Sequence, residues 1–258
     1  VHIARALAAE GVNLALAART LSAVEELARE LSASGVRCVA IRADVGTAQD
    51  RAQLLERAAS ELGVIDILVN NAALERNQAF ASFPPSDIEA MLQVDLVAPI
   101  MLTRELLPAM LERTRGHVIN IASLAGKSAT PYNVPYSAAK GGLILFTHSL
   151  RAELRGTGVS CSVVVPGFIS DTGMFADKKR EHGVSTPSVA GTSTPEAVSR
   201  AVIRALKSDV LETIVAPGPM RLSQAFNQMF PEAFAWFVTR IGAMEPFKKI
   251  ASSNRPSP

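Results

Sequence analysis

The sequence predicts an α/β fold built on a doubly wound parallel sheet. Apolar runs of strand length alternate with amphipathic helical patterns along most of the chain. No Pro-, Gly- or Ser-rich linker interrupts the alternation, so the 258 residues read as one domain. The chemically informative residues fall just past the carboxyl ends of apolar runs, the edge at which open parallel sheets gather functional groups.

The elements follow in order. Residues 1–10 form a helix with Ile3, Leu7 and several alanines on its apolar face, and Gly11 ends it. Residues 12–17 are a strand. In the helix at 21–31, Leu21, Val24, Leu27, Ala28 and Leu31 share one face, and Ser34-Gly35 breaks it. A strand at 39–43 runs into Asp44, and a helix at 48–62 stops at Gly63. The strand at 66–69 runs into Asn70-Asn71-Ala72-Ala73. Pro84-Pro85-Ser86-Asp87 opens a helical region to about residue 113, bent near Pro99. The apolar run 117–122 is a buried strand that ends at Ser123. A helix runs from Tyr136 to about Leu154, and a strand at 159–165 leads into Pro166-Gly167. Residues 171–193 are polar and read as irregular. Thr194 as N-cap and Pro195 at the first helical position start a helix to about Lys207, and 213–216 is a last short strand. Residues 219–250 form an apolar helical tail, and 251–258 are expected to be disordered.

Composition excludes several classes. A net charge of +2 is too small for a nucleic-acid footprint, which needs a clustered basic face. Cys161 lies in a predicted strand and Cys38 at the start of another, without motif spacing, as expected of reduced thiols in a cytoplasmic protein. His2, His117, His148 and His182 lack metal-ligand spacing, so no metal site is expected. No apolar run approaches the ~18 residues of a membrane span.

The chemistry concentrates at Tyr136 and Lys140, which a helix places on one face. A phenol holds its proton until pH ~10, and moving it to neutrality takes about 4 kcal/mol. An ammonium ~5 Å away, at an effective dielectric of ~20, supplies roughly 3 kcal/mol of that. Ser123, at the end of a neighbouring strand, is placed to donate a hydrogen bond to an oxygen that gains negative charge.

Together, and in this order, Asn70-Asn71-Ala72, Ser123, Tyr136-x-x-x-Lys140 and Pro166-Gly167 resemble the short-chain dehydrogenase/reductase family. The resemblance covers residues 1–218 and implies a Rossmann-like sheet. It also implies an oxidoreductase that moves hydride between NADP(H) and a carbonyl or secondary alcohol. Tyr136 would be the general acid/base. Lys140 would lower the tyrosine pKa and hold the nicotinamide ribose, and Ser123 would orient the substrate oxygen. Asp95 stands where the family usually carries Asn, whose backbone carbonyl holds a water in a relay to the lysine. Its extra carboxylate is expected to raise the lysine pKa and weaken its push on Tyr136.

For the cofactor, Ala18 replaces the acidic residue that would bind the 2′-hydroxyl of NAD, and Arg19 follows, suited to the 2′-phosphate of NADP. The resemblance assigns Asp44 and Val45 to the adenine and Asn71 and Ala72 to the adenosine ribose. It leaves Asn70 as a structural tie. Ile169 and Thr172 are assigned to the carboxamide, although the segment 168–172 is one residue longer than the common pattern. The strand and glycine-rich turn that precede the first helix in the family are not in this sequence. Weak dinucleotide binding and two exposed strand edges are therefore expected. The family's habit of pairing long helices implies a homodimer or homotetramer, and Gly141-Gly142 marks a close helix approach.

Two other readings use the same residues. One is a non-catalytic binding or scaffold protein on this fold. The other is an epimerase or dehydratase, which usually needs a larger C-terminal substrate domain. The aromatic-rich tail reads as a wall for an apolar substrate, as subunit packing, or as a membrane-surface helix with Arg221, Arg240, Lys248 and Lys249 on its polar face.

Overall fold

The computed structural model describes all residues except 171–172, 185–190, 219, 243–244 and 254–258. Among the described residues six parallel strands form two groups. β1 (Leu14–Ala18) pairs with β2 (Cys38–Arg42), with Leu14 opposite Cys38. The larger sheet has the order β3 (Ile67–Asn70), β4 (Gly116–Ile121), β5 (Val159–Pro166), β6 (Glu212–Val215). Ile67 faces His117, and Gly116 faces Val159. The near-continuous apolar sequence of β5 follows from burial on both faces: Val163, Val164 and Val165 are fully enclosed.

β1 and β3 do not pair with each other, and the residues of both line a single cavity of about 1850 Å³. Ala15 and Ala17 on β1 are exposed, and Ile67, Leu68 and Val69 are only half-buried. These are the two free edges that the sequence leads one to expect.

Helices cover both faces. α1 (His2–Ala9) packs on α8 (Pro195–Ser208), and α2 (Leu21–Ser32) on β1 and β2. Leu27 and Leu31 join Leu7 and Leu14 in the core there. α3 (Ala48–Leu62) is capped by Thr47, whose hydroxyl accepts from the Asp50 N–H. α4 (Pro85–Leu92) continues through a π-helical turn at Gln93–Val97 into α5 (Ala98–Glu112). The irregularity thus lies just before Pro99, which offers no N–H to the preceding turn. α6 (Val134–Glu153) packs on β5 and on the short 3₁₀ turn Leu124–Gly126.

Two expectations need correction. Residues 174–182, read as irregular, form α7 (Met174–His182); Ala176 packs inward, and the neighbouring Phe168 and Phe175 rings lie 4.5 Å apart. Apolar anchors at wide spacing in a polar segment hid this helix. Disorder from residue 251 onward is also wrong for its first three residues. They complete α11 (Glu245–Ser253), held down by buried Phe247, Ile250 and Ala251. The tail's other helices are α9 (Met220–Met229) and α10 (Pro231–Arg240). The close approach expected at Gly141-Gly142 is made within the chain. A β-carbon on Gly141 would meet the Gly126 carbonyl oxygen at 3.2 Å, and one on Gly142 would meet Leu96 at 3.2 Å.

Candidate active site

Strand ends and one helix N-terminus deliver the functional side chains. Ser123 lies two residues past β4, and its hydroxyl accepts from the Ala125 N–H and so fixes the turn. α6 presents Tyr136 in its first turn and Lys140 one turn later, both buried. Ser123 and Tyr136 line the same cavity, and the serine hydroxyl favours the ionised phenol slightly. The Lys140 ammonium lies 5.5 Å from the tyrosine ring centroid.

One cavity gathers the predicted residues. Arg19, Asp44, Val45, Asn71, Ala72, Ser123, Tyr136, Lys140 and Ile169 all line it. Asp95 stands behind its wall, fully buried. Thr172 lies outside the described residues. Asn70 is a tie as expected: its Nδ2 donates to Asn120 Oδ1 at 2.8 Å, joining β3 to β4. One Asp44 carboxylate oxygen accepts from the Gly46 N–H at 2.9 Å, so part of that side chain serves the turn after β2.

The electrostatics depart from the sequence reading. Lys140 Nζ forms an ion pair with Asp95 Oδ1 at 3.1 Å and donates to the Ile121 carbonyl at 3.1 Å. Asp95 also accepts from the Leu74 N–H at 3.1 Å, tying the Asn-Asn-Ala turn to α6. Burial pushes the Asp95 carboxyl up and the Lys140 ammonium down, and each charge partly offsets the shift of the other. The Tyr136 phenol is not lowered. Burial raises its pKa well above the usual value, and the Glu75 and Asp95 carboxylates add to the rise. Pairing with Asp95 removes the push that Lys140 was expected to exert.

Glu75 was not anticipated. It lines the cavity five residues after β3, accepts from Asn133 Nδ2 at 2.5 Å and pairs with Lys178 of α7 at 2.9 Å. Its only sequence signal was a carboxylate directly after an Asn-Asn-Ala-Ala-Leu strand end. Beyond Tyr136 the wall is apolar, with Phe168, Met174, Phe175, Phe234, Phe237 and Phe247. Among the described residues no cluster of three metal-ligating side chains occurs.

A Ser–Tyr–Lys set at the carboxyl edge of a parallel Rossmann-like sheet defines the class, and comparison with known proteins agrees. The short chain dehydrogenase family profile matches residues 1–183, and the chain belongs to the short-chain dehydrogenase/reductase family. Among its relatives is a protein named ketoacyl reductase HetN, from a Nostoc species. It is 40% identical over 246 residues, which span 92% of this chain and 84% of the relative. A 3-oxoacyl-[acyl-carrier-protein] reductase from a Synechocystis species is 33% identical over 80% of this chain and 83% of its own. A metagenomic short-chain oxidoreductase solved in complex with NADP superposes with a TM-score of 0.70 at 29% identity. That match covers 84% of this chain and 90% of the solved one.

Proposed function

We propose that this oxidoreductase is an NADP(H)-dependent reductase of an apolar carbonyl substrate, in particular a 3-oxoacyl thioester. The observation that carries the reading is the meeting of Ser123, Tyr136 and Lys140 on the wall of one aromatic-lined cavity. The names of the two cyanobacterial relatives support the acyl class.

The residues present fit a phosphorylated dinucleotide. Arg19, exposed at the end of β1 and lining the cavity, offers a fork of donors with no carboxylate at position 18. Arg19 would take the 2′-phosphate, Asp44 and Val45 the adenine, Asn71 and Ala72 the ribose beside it, and Ile169 the carboxamide. The cofactor supplies the hydride when bound. Ser123 holds the substrate oxygen and strengthens its hydrogen bond as negative charge develops there. Tyr136, kept protonated by burial and by nearby carboxylates, delivers its proton to that oxygen. Lys140 fixes the floor of the site through Asp95 and the Ile121 carbonyl.

This reading places the protein in a reducing cytoplasm, in keeping with its two free cysteines. It also treats the protein as a homodimer or homotetramer, supported by Leu145, 66% exposed on α6. The test is turnover of NADPH with a 3-oxoacyl thioester. It is run on this chain and on the chain preceded by a strand and glycine-rich turn, since the gap between β1 and β3 predicts weak dinucleotide binding by this chain. Reduction by the extended chain supports the proposal. Absence of carbonyl reduction in both forms would favour a non-catalytic binding protein on this fold.

A further inference from the structure

We propose that the helical pair α9–α10 docks on an anionic lipid surface, with the substrate cavity opening toward the bilayer. The observation is the apolar character of its outer side. Leu222 and Met229 are 72% and 71% exposed, Trp236 is 66% exposed, and Phe226, Phe230 and Phe237 are about half exposed. α9 and α10 pack on each other, so these side chains share a small region of the fold. Apolar surface of this kind marks an interaction site.

Charge favours lipid as the occupant. Residues 219–258 carry five Lys and Arg against two Asp and Glu, whereas the 218 residues before them carry 21 against 22. The excess positive charge of the chain therefore belongs to this segment. Arg240, Lys248 and Lys249 are exposed there, and the Arg240 guanidinium sits 5.8 Å over the Trp236 ring. The two acids, Glu232 and Glu245, occupy the first turns of α10 and α11, where the helix dipole favours them. An amphipathic indole beside cations suits the headgroup boundary, with phenylalanines reaching the acyl region. No helix among the described residues is long and apolar enough to cross a membrane, so the contact is interfacial.

The cavity argues against a second copy of the chain. Phe234, Phe237 and Val238 line it from α10, and Ile241 from just after its end; Phe237 and Ile241 remain 50% and 39% exposed and therefore form its rim. α9 is tied to the turn after Ser123 by Asn227 Nδ2, which donates to the Lys127 carbonyl at 2.9 Å. A flat protein partner on this patch would close the rim, whereas a bilayer would leave it open to molecules dissolved in the acyl layer.

Trp236 is the only tryptophan, so it reports directly. The purified chain is mixed with vesicles of phosphatidylcholine alone or with phosphatidylglycerol added, and sedimentation and Trp236 emission are followed. Anionic vesicles should sediment the protein and move the emission to shorter wavelength, and lipids brominated on their acyl chains should quench it. Lys248→Gln should weaken partitioning about fivefold, the worth of one cation at such a surface. Leu222→Glu with Met229→Glu should abolish partitioning while circular dichroism stays unchanged. An unshifted emission with anionic vesicles would overturn the proposal, as would full binding by the double variant. So would a blue shift that grows with protein concentration without lipid, which would assign the patch to a second copy. No turnover is measured, so the outcome is independent of the redox reading.

Discussion

The Asp95 carboxylate meets the Lys140 ammonium at 3.1 Å with 0% and 2% of the two side chains exposed. Removing one partner of such a pair leaves the other charge buried and uncompensated, at a cost of about 3–5 kcal/mol. Asp95→Ala should lose stability on that scale in urea unfolding. Asp95→Asn should lose less, because an amide oxygen still accepts from the Leu74 N–H. Equal stability of Asp95→Ala and the parent would show that the pair is not formed in solution.

Glu75 should set the alkaline limit of carbonyl reduction. The reaction needs the protonated phenol, so the rate falls as pH rises through the Tyr136 pKa. Burial raises that pKa first, and the Glu75 charge raises it further. Glu75→Gln removes a charge that disfavours phenolate and leaves the Lys178 charge without its carboxylate. Both effects lower the tyrosine pKa, so the alkaline limb of the kcat profile should move to lower pH. A limb that stays in place would detach Glu75 from the tyrosine.

Gly126 should matter more for rate than for folding. A β-carbon there would lie 2.5 Å from the Lys140 carbonyl carbon and 2.6 Å from the Gly141 nitrogen, both backbone atoms of α6. Gly126→Ala must therefore push the Ser123 turn away from the helix that bears Tyr136. A displacement of ~1 Å between reacting groups costs on the order of 100-fold in rate. Steady-state kcat should fall by about that factor while far-ultraviolet circular dichroism is retained.

Arg19 should discriminate between cofactors. Arg19→Ala removes charge-assisted bonds to a 2′-phosphate and nothing from a 2′-hydroxyl. The Michaelis constant for NADPH should rise about tenfold or more, the worth of one to three kcal/mol, while that for NADH stays within a factor of two. Equal changes in both would remove Arg19 from the cofactor site.

Much of this molecule was legible because local signals and global fold coincide. Leu21 to Leu31 reads as a helix from its apolar spacing, and α2 buries Val24, Leu27, Ala28 and Leu31. Ser123, Tyr136 and Lys140 were visible because fixed spacing on one strand end and one helix turn decides where they point. What stayed hidden depends on distant contacts. The Lys178 ammonium bonds Asn77 across 101 residues and pairs with Glu75, and nothing in either segment's pattern reports that meeting. The tyrosine's raised pKa escaped for a similar reason: the sequence set Asp95 against Lys140, but showed neither the burial that raises the phenol most nor the approach of Glu75. Gly141 signalled a close approach, yet only the fold names Gly126 as the neighbour.

The most direct measurement of the central claim compares Tyr136→Phe with the parent, each preceded by a strand and glycine-rich turn, in NADPH-dependent reduction of a 3-oxoacyl thioester. Phenylalanine keeps the ring and removes only the proton donor. We predict that kcat/KM falls by about 100- to 10,000-fold while the dissociation constant for NADPH changes less than threefold. Parental turnover by Tyr136→Phe would contradict the assignment of that phenol as the group that protonates the substrate oxygen.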